Sequence, residues 1–485
     1  MNRRNFLKKT GIIALSLTVA TKTALSANSS KKPNIILFLI DDLGWKDVGF
    51  MGSKYYETPN IDKLAKSGMV FNHAYANAPN CAPSRACLMS GQYTPRHGVY
   101  TVKTSERGSS KDRMLIPTKT ETELASNFVS IAESLKKSGY TSASMGKWHL
   151  GTDPELGPIA QGFDLNIGGD QRGAPGQGGY FSPYKNPNLK DGPKGEYLTD
   201  RLTDEAIDFI QDNKDNPFFL YLPHYAVHTP IQAKKDLLKK YQNKAPHNGQ
   251  SNAKYATMIE SVDMGIGRIM DTLNKLGITE ETIIIFFSDN GGHGPTTSML
   301  PLRGSKGMLY EGGIRVPMIV SFPGKIKANT TCDTPVTGTD FYPTLLEMTK
   351  TEKPKDYQLD GESIVPLLNQ KGDLKRDSIY FHFPAYLQNY NRGAGPWRTT
   401  PCGAIRKGDY KLIEFFEDGT IELYNIKDDI SESNDLAKKL PGKTKELYAD
   451  LVDWRRAVNA PVPTEKNPMY NPTEKKALEA RELHD

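Results

Sequence analysis

The sequence predicts an α/β fold in which helices flank a large, mostly parallel sheet, with a smaller antiparallel sheet after it. Continuous apolar runs, typical of strands that are buried on both faces, alternate with helix patterns along most of the chain. Short, hairpin-like runs replace this alternation after about residue 375. This change predicts an N-terminal domain over residues 28–375 and a smaller C-terminal domain over residues 376–485.

The main sheet is predicted from runs of apolar or small residues that are continuous instead of alternating. Such runs are typical of buried parallel strands. They span residues 34–40, 141–145, 218–222, 282–288 and 316–321. Capped helix patterns lie between them at 60–68, 127–139, 199–213 and 255–277. We therefore expect helices on both faces of the sheet.

The smaller domain is predicted as a four-stranded antiparallel sheet with one helix. Its strand patterns are short and lie at 378–383, 403–405, 410–417 and 421–424. Asp418-Gly419 is a typical hairpin turn between the last two. A helix near 444–458 and a polar tail over 461–485 complete the prediction.

Polar side chains follow the first four strands of the main sheet, at the point where each strand ends. In chain order they are Asp41 and Asp42, Lys147 and His149, His224 and His228, and Asp289 and Asn290. In an open doubly wound sheet, ligands bind beyond the carboxyl ends of the strands. We therefore expect these segments to converge on one crevice.

The segment Cys81-Ala82-Pro83-Ser84-Arg85 places a nucleophile and a fixed cation at the start of a predicted helix that stops at Gly91. The free N–H groups and the positive dipole end there favour a bound oxyanion, and Arg85 folds back over the same turn. Taken alone, Cys81 is also compatible with a buried small hydrophobe or a disulfide with Cys87. A helix spanning both thiols makes that disulfide difficult to form.

Two of the strand ends carry only hard oxygen ligands, and these predict a metal site. The residues are Asp41, Asp42, Asp289 and Asn290. Three carboxylates and an amide suit Ca²⁺, and Mg²⁺ less well. Either pair by itself is equally compatible with a turn or a helix cap.

Three sequence motifs together resemble those of the type I sulfatases, of the alkaline phosphatase-like superfamily. They are C-A-P-S-R-A-C-L-M-S-G at 81–91, G-K-W-H-L-G at 146–151, and G-S-K-G with Y-E-G-G-I-R at 304–315. Ser90 stands where the family usually has Thr. The resemblance implies that family's mixed, mostly parallel sheet, with the catalytic domain first, and sulfate ester hydrolysis as the reaction.

The resemblance also implies how the site works. A maturation enzyme would oxidise Cys81 to formylglycine (3-oxoalanine), whose hydrate has one hydroxyl to attack sulfur and a second to expel sulfate. The divalent cation would bind the four oxygen ligands and the formylglycine. The implied catalytic residues are Cys81, Arg85, Lys147, His149, His228 and Lys306.

Within that set, the resemblance implies distinct roles. Arg85, Lys147 and Lys306 would balance charge on the sulfate oxygens, and His149 would contact a formylglycine hydroxyl. Lys306 or His228 would lie near the leaving oxygen, and the sequence does not separate these two roles. The remaining histidines near the motifs, His97, His224 and His293, are interpreted as surface or supporting residues outside the catalytic set.

The favoured substrate is a sulfated oligo- or polysaccharide, based on galactose, over a small aryl sulfate. Arg172, Trp397 and Arg398 lie in loops and suit carboxylate contacts and sugar stacking, although ordinary loop charge and a packed aromatic explain them equally well. The alternatives are a phosphodiester or phosphonate monoester hydrolase of the same superfamily, a small-molecule arylsulfatase, and a glycan-binding pseudoenzyme.

Charge and the N-terminus limit partners and location. A formal net charge of +6 over 485 residues, without a concentrated basic stripe, does not indicate nucleic-acid binding. Residues 1–27 resemble a twin-arginine export signal, with Arg3-Arg4 before an apolar stretch too short to span a membrane. We therefore expect an exported, periplasmic or secreted protein that is not membrane-spanning.

Four cysteines in an exported chain leave an odd number once Cys81 is assigned to chemistry. The interpretation that follows pairs Cys332 with Cys402 across the two domains and leaves Cys87 buried and free.

Overall fold

A computed structural model of the protein describes residues 31–391 and 394–471. The chain divides into two units, Met1–Lys32 and Pro33–Asp485, and every element below belongs to the second. The export signal predicted at 1–27 and the end of the predicted tail, 472–485, lie outside the described residues. The domain boundary at 375 stays a prediction.

The two longest strands lie side by side in the centre of the main sheet, and the described residues form sixteen strands in all. They are β1 (Asn34–Ile40), β2 (Met69–Phe71), β3 (Ala74–Tyr75), β4 (Thr141–Met145), β5 (Leu165–Ile167), β6 (Phe218–Pro223), β7 (Thr282–Ser288), β8 (Met318–Ser321), β9 (Thr330–Cys332), β10 (Val336–Thr337), β11 (Ser378–Phe383), β12 (Leu387–Gln388), β13 (Trp397–Thr399), β14 (Cys402–Lys407), β15 (Tyr410–Phe415) and β16 (Ile421–Asn425).

The main sheet has eight strands in the order β5-β4-β6-β1-β7-β8-β2-β9. The five strands from β5 to β7 are parallel, with Ile35 of β1 opposite both Phe219 and Ile283. Strands β1, β6 and β7 are buried along their whole length, as their continuous apolar sequences predict. The mixed, mostly parallel sheet expected from the sequence is confirmed.

The prediction of a parallel strand over 316–321 is wrong in its direction. The strand there, β8, runs antiparallel to both of its neighbours, β7 and β2. A parallel neighbour needs a crossover that returns the chain to the opposite end of the strands. The β7–β8 connection has a single four-residue helix, Glu311–Ile314. The chain therefore starts β8 beside the end of β7 and runs in the opposite direction.

Helices cover both faces of the main sheet, and the last one in the chain packs on the C-terminal sheet. In chain order, the helices are α1 (Pro59–Ser67), α2 (Cys81–Ser90), α3 (Thr94–His97), α4 (Ile131–Lys137), α5 (Leu198–Asn213), α6 (Lys235–Gln242), α7 (Ala253–Lys275), α8 (Glu311–Ile314), α9 (Phe341–Thr349), α10 (Val365–Leu368) and α11 (Pro441–Ala457). The helices predicted from the sequence are confirmed within a few residues at each end. None of these helices, which are those of the described residues, is long and apolar enough to cross a bilayer.

Alternate residues of β1 divide the core into two layers. Ile36 and Phe38 belong to a cluster that includes residues of α5 and α7, whereas Ile35 and Leu37 belong to one that includes residues of α2, α4 and α9. Successive side chains of a strand point to opposite faces, so one apolar strand serves both layers. The result is a helix–sheet–helix sandwich with β1 at its centre.

The C-terminal sheet has the order β11-β14-β15-β16 and is antiparallel throughout. Leu447 and Leu451 of α11 pack with Ile405, Leu412 and Leu423 of this sheet. The four-stranded antiparallel sheet with one helix is therefore confirmed.

The predicted Cys332–Cys402 disulfide is wrong, because all four cysteines are free. Cys332 ends β9 at the margin of the main core, and Cys402 lies in a separate cluster beneath the C-terminal sheet. An odd cysteine count carries no information about which side chains meet.

Candidate active site

The structure brings the predicted polar segments together at the carboxyl edge of the main sheet. Asp41 and Asp42 follow β1, and the Asp42 N–H donates to the Asp289 carboxylate after β7 at 3.1 Å. Lys147, after β4, donates from Nζ to Asp41 Oδ2 at 2.6 Å. His228, in the loop after β6, places Nε2 3.7 Å from Asp42 Oδ2. The four strand ends therefore form one site.

Helix α2 places Cys81 at the centre of this site. The helix begins at Cys81 and ends at Ser90, and Gly91 caps it with a φ of 67°, the left-handed conformation that suits glycine. Cys81 Sγ lies 3.5 Å from Asp41 Oδ1 and 3.2 Å from Lys306 Nζ. The thiol is thus held between an acid and a cation, both buried.

Arg85, one turn along α2, is completely buried and joins two of the strand ends. Its Nε donates to Asp289 Oδ2 at 2.9 Å, and its Nη1 donates to the Lys147 carbonyl at 2.6 Å. Its Nη2 is 3.8 Å from Asp41 Oδ1. Besides lying near Cys81, as the sequence predicts, Arg85 therefore fixes the segments that carry the acids and Lys147.

The predicted metal ligands form a compact, buried set. Carboxylate oxygens of Asp41, Asp42 and Asp289 lie within 4.8 Å of one another. Asn290 Nδ2 donates to Asp42 Oδ1 at 2.8 Å, which leaves Asn290 Oδ1 buried with no hydrogen-bond partner. An unpartnered buried acceptor beside three carboxylates fits a hard divalent cation. The donor set is therefore compatible with the predicted ion.

The surroundings shift the acidity of these groups in opposite directions. Burial, with the charge of Asp289, raises the pKa of Asp41 to about 7. Burial would also raise the pKa of Asp42, but Lys306 outweighs it and holds that pKa well below its ordinary value. Burial raises the pKa of the Cys81 thiol to about 12. An unmodified Cys81 is consequently a neutral thiol at neutral pH and a poor nucleophile.

The two predicted catalytic histidines face the site from separate loops. His149 has a φ of 66°, donates its backbone N–H to the Asp170 carbonyl at 2.8 Å, and has a buried Nδ1 without a hydrogen-bond partner. His228 Nδ1 is 2.7 Å from the Thr229 carbonyl, so this nitrogen carries the proton. Burial lowers the pKa of His228 to about 3, with the charge of Lys306 adding to the shift.

A cleft of about 340 Å³ opens above Cys81. Its inner part has the predicted residues Cys81, His149, His228 and Lys306. Other lining residues were missed as site residues in the sequence, and they are Asn80, Lys103, Arg107, His293 and Tyr390. His293, which the sequence indicates as a surface or supporting residue, lines the cleft. Asn80 precedes Cys81 and His293 follows Asn290 closely, whereas Lys103, Arg107 and Tyr390 belong to loops without a motif, so only the tertiary structure identifies these three.

The three predicted substrate-binding residues have different positions. Arg398 lines the cleft. Trp397 lies in a neighbouring groove, where its Nε1 donates to the Asp112 carbonyl at 3.2 Å. Arg172 lines an adjoining pocket with His149, and its guanidinium is paired with Asp170 at 2.9 Å. The structure therefore places one of the three in the cleft itself.

Known proteins match nearly the whole chain. The Sulfatase family profile matches residues 33–351, and that of the N-sulphoglucosamine sulphohydrolase C-terminal region matches 305–456. The chain is 35% identical over 518 residues to a sulfatase of Formosa agariphila, covering 92% of each chain. It is 32% identical over 397 residues to the N-acetylgalactosamine-6-sulfatase of Mus musculus, covering 76% of this chain and 72% of that one.

A solved structure extends the likeness to three dimensions. The crystal structure of Ps i-CgsB has 31% identity and a TM-score of 0.75, and the match covers 93% of this chain and 98% of that one. The same protein has been crystallised in complex with k-i-k-neocarrahexaose. The match covers the region of the main sheet and that of the C-terminal sheet.

Proposed function

The chain belongs to the sulfatase family, and from this premise we propose that it hydrolyses sulfate esters of a glycan built on galactose or galactosamine. The matched mouse enzyme is named for a galactosamine sulfate, and Ps i-CgsB binds a neocarrahexaose. Sulfuric ester hydrolysis itself is the activity of the family. Our proposal concerns the substrate, the reacting group and the residues that act on it.

One observation carries the proposal. Lys306 Nζ lies 3.2 Å from Cys81 Sγ and 2.8 Å from Asp42 Oδ2, so a cation, the reacting side chain and a metal-type acid meet at one point. This point is at the inner end of the cleft. A sulfate group that enters the cleft would meet all three.

Two groups would complete the site. Conversion of Cys81 to formylglycine would supply a hydrated aldehyde, with one hydroxyl to attack sulfur and another to expel sulfate. Ca²⁺, in preference to Mg²⁺, would be held by Asp41, Asp42, Asp289, Asn290 and the formylglycine, and would acidify the attacking hydroxyl.

The cations of the chain would bind and orient the sulfate. Lys147 and Arg85 are fully buried and are fixed by Asp41 and Asp289, so they bring positive charge to the site without reorganisation. Lys306 is nearer to the cleft, with 9% of its surface exposed, and can contact a sulfate oxygen directly.

Protons would be handled by His149, His228 and Lys306. The unpartnered Nδ1 of His149 and its position in the cleft suit contact with a hydroxyl at position 81. His228 and Lys306 both reach Asp42 and both line the cleft, so both are candidates for the group that protonates the leaving oxygen. Because the Nδ1 proton of His228 faces the Thr229 carbonyl, His228 could serve only after its Nε2 gains a proton.

We further propose that the chain is exported to the periplasm or beyond. The support is the sequence of residues 1–27, with its paired arginines and apolar stretch. Extracellular glycans would be accessible there.

A screen of sulfate release from defined sulfated oligosaccharides tests the proposal. We expect release from galactose or galactosamine substrates by the matured enzyme, and none by Cys81→Ala. Equal release by that variant would remove Cys81 from the mechanism. Faster turnover of a phosphodiester than of every sulfate ester would favour the phosphodiester or phosphonate hydrolase alternative.

A further inference from the structure

Three cations line the outer part of the cleft. They are Lys103, Arg107 and Arg398. Arg107 donates from Nη2 to the Val102 carbonyl at 2.6 Å, and the Arg398 guanidinium lies 4.0 Å from the centre of the Tyr390 ring. Within residues 31–391 and 394–471, no carboxylate forms an ion pair with any of the three. In contrast, the inner cations, which are Arg85, Lys147 and Lys306, each pair with an aspartate.

The two arginines are also partly removed from solvent. Arg398 Nε is buried and has no hydrogen-bond partner among the residues that the structure describes. Burial lowers the pKa of Arg107, and the nearby charge of Arg398 lowers it further. Like charges that share a partly buried cleft repel each other, and unmet N–H donors are costly. A bound anion would balance these like charges and could accept from guanidinium N–H groups that face the cleft.

The position of Arg398 is fixed from one side. Tyr390 stacks on its guanidinium, and the same Tyr390 donates its hydroxyl proton to the Lys306 carbonyl at 3.0 Å. Arg398 is thereby connected to the loop that carries Lys306. A fixed guanidinium loses little freedom when it binds a planar or tetrahedral oxyanion.

We propose that Lys103, Arg107 and Arg398 form a second anion subsite, which binds a sulfate or carboxylate of the same glycan other than the sulfate that is hydrolysed. Because the three cations and Cys81 line one cleft, this second anion belongs to the sugar under attack or to its neighbour. The inference rests on the proposed function and narrows the substrate to a polyanionic glycan.

The test compares kcat/KM for three substrates: a monosulfated galactosamine sugar, its disulfated form, and a monosulfated disaccharide with a uronic acid. We expect the matured enzyme to prefer one of the dianionic substrates by about tenfold to a hundredfold, which corresponds to one charged hydrogen-bonded contact. The preferred substrate identifies the anion as sulfate or carboxylate. Arg107→Gln should reduce this preference, chiefly through KM.

The matched control is Lys137→Ala, which removes an exposed lysine at the end of α4, by the edge of the sheet where β4 begins. It should leave the preference unchanged. Equal kcat/KM for all three substrates, or an equal loss on all of them in Arg107→Gln, would overturn the subsite.

A binding measurement separates this inference from the proposed reaction. Calorimetry with Cys81→Ala, which retains all three outer cations, should show tighter binding of a dianionic sugar than of the monosulfated one. Such binding without turnover by the matured wild-type enzyme would contradict the proposed function and retain the subsite. Equal affinities would contradict the subsite even if turnover is observed.

Discussion

The inner and outer parts of the cleft differ in how their charges are balanced. In the inner part, Lys147 Nζ is 2.6 Å from Asp41 Oδ2 and Lys306 Nζ is 2.6 Å from Asp42 Oδ1, so the charges pair within the protein. Outside, Arg107 and Arg398 have no such partner among the described residues. The inner part is therefore organised before a substrate arrives, whereas the outer part is completed by one. We associate the inner part with the reaction and the outer part with the choice of glycan.

The largest effect should come from the inner part. Cys81→Ala removes the group that becomes the nucleophile, and we expect kcat to fall roughly 10⁴- to 10⁶-fold, as for other nucleophile deletions. Initial rates of sulfate release measure it. Cys87→Ala, the other buried thiol of α2, is the control and should retain activity. Near-wild-type turnover by Cys81→Ala would show that the inner part is not the reaction centre.

Metal binding should show the next largest effect. Asp289→Asn keeps the shape of the side chain but removes its charge, so both the cation and Arg85 lose a partner. We expect a loss in kcat/KM of about 10²- to 10⁴-fold and substoichiometric metal by elemental analysis. Chelation should inactivate the wild-type protein, and Ca²⁺ should restore activity better than Mg²⁺.

The control for that substitution is another buried carboxylate. Asp263 of α7 accepts from the N–H groups of Asn60 and Ile61 in α1, away from the site. Asp263→Asn should lower stability and leave the metal content unchanged. Full activity of the chelated wild-type protein would contradict the metal site.

A smaller effect should separate Lys306 from His228. We expect Lys306→Ala and His228→Ala each to lose about 10²- to 10³-fold in kcat. We expect the rate to depend more steeply on the pKa of the leaving group only in the variant that lacks the proton donor to the leaving oxygen. A series of aryl sulfates measures this dependence. An unchanged dependence in both variants would assign that proton to neither.

The smallest effect should be at Trp397, in the groove beside the cleft. If the glycan extends into this groove, Trp397→Ala should raise KM for an oligosaccharide by about two- to tenfold, the usual worth of an aromatic contact. KM for a monosaccharide should not change. The same increase for both substrates would instead indicate that Trp397 supports the cleft structurally.

The residues of the inner part can be predicted from the sequence, whereas most of those of the outer part cannot. Asp41, Lys147 and Asp289 are identifiable in the sequence because each comes after a run of apolar or small residues that forms a strand, and the ends of neighbouring parallel strands bring such residues together. Lys103 and Arg107 lie in a loop without periodicity or motif. Their place in the cleft depends on packing between segments far apart in the chain.

The sequence also does not determine the direction of a strand, the pairing of short strands or the pairing of cysteines. The apolar run of β8 predicts a buried strand correctly, but burial carries no direction, and the path of the preceding loop makes the strand antiparallel. The two-residue strands β3 and β10 pair across the chain and are too short for any periodicity. The Cys332–Cys402 prediction failed because composition does not determine distance.

The most direct test of the account is the relation between modification and turnover. Preparations in which different fractions of Cys81 are converted to formylglycine can be quantified by peptide mass spectrometry and assayed for sulfate release per mole of protein. We predict a rate proportional to the converted fraction, with none in unconverted protein. Full turnover by protein whose Cys81 is an intact thiol would contradict the central claim that these four strand ends serve one oxidised side chain.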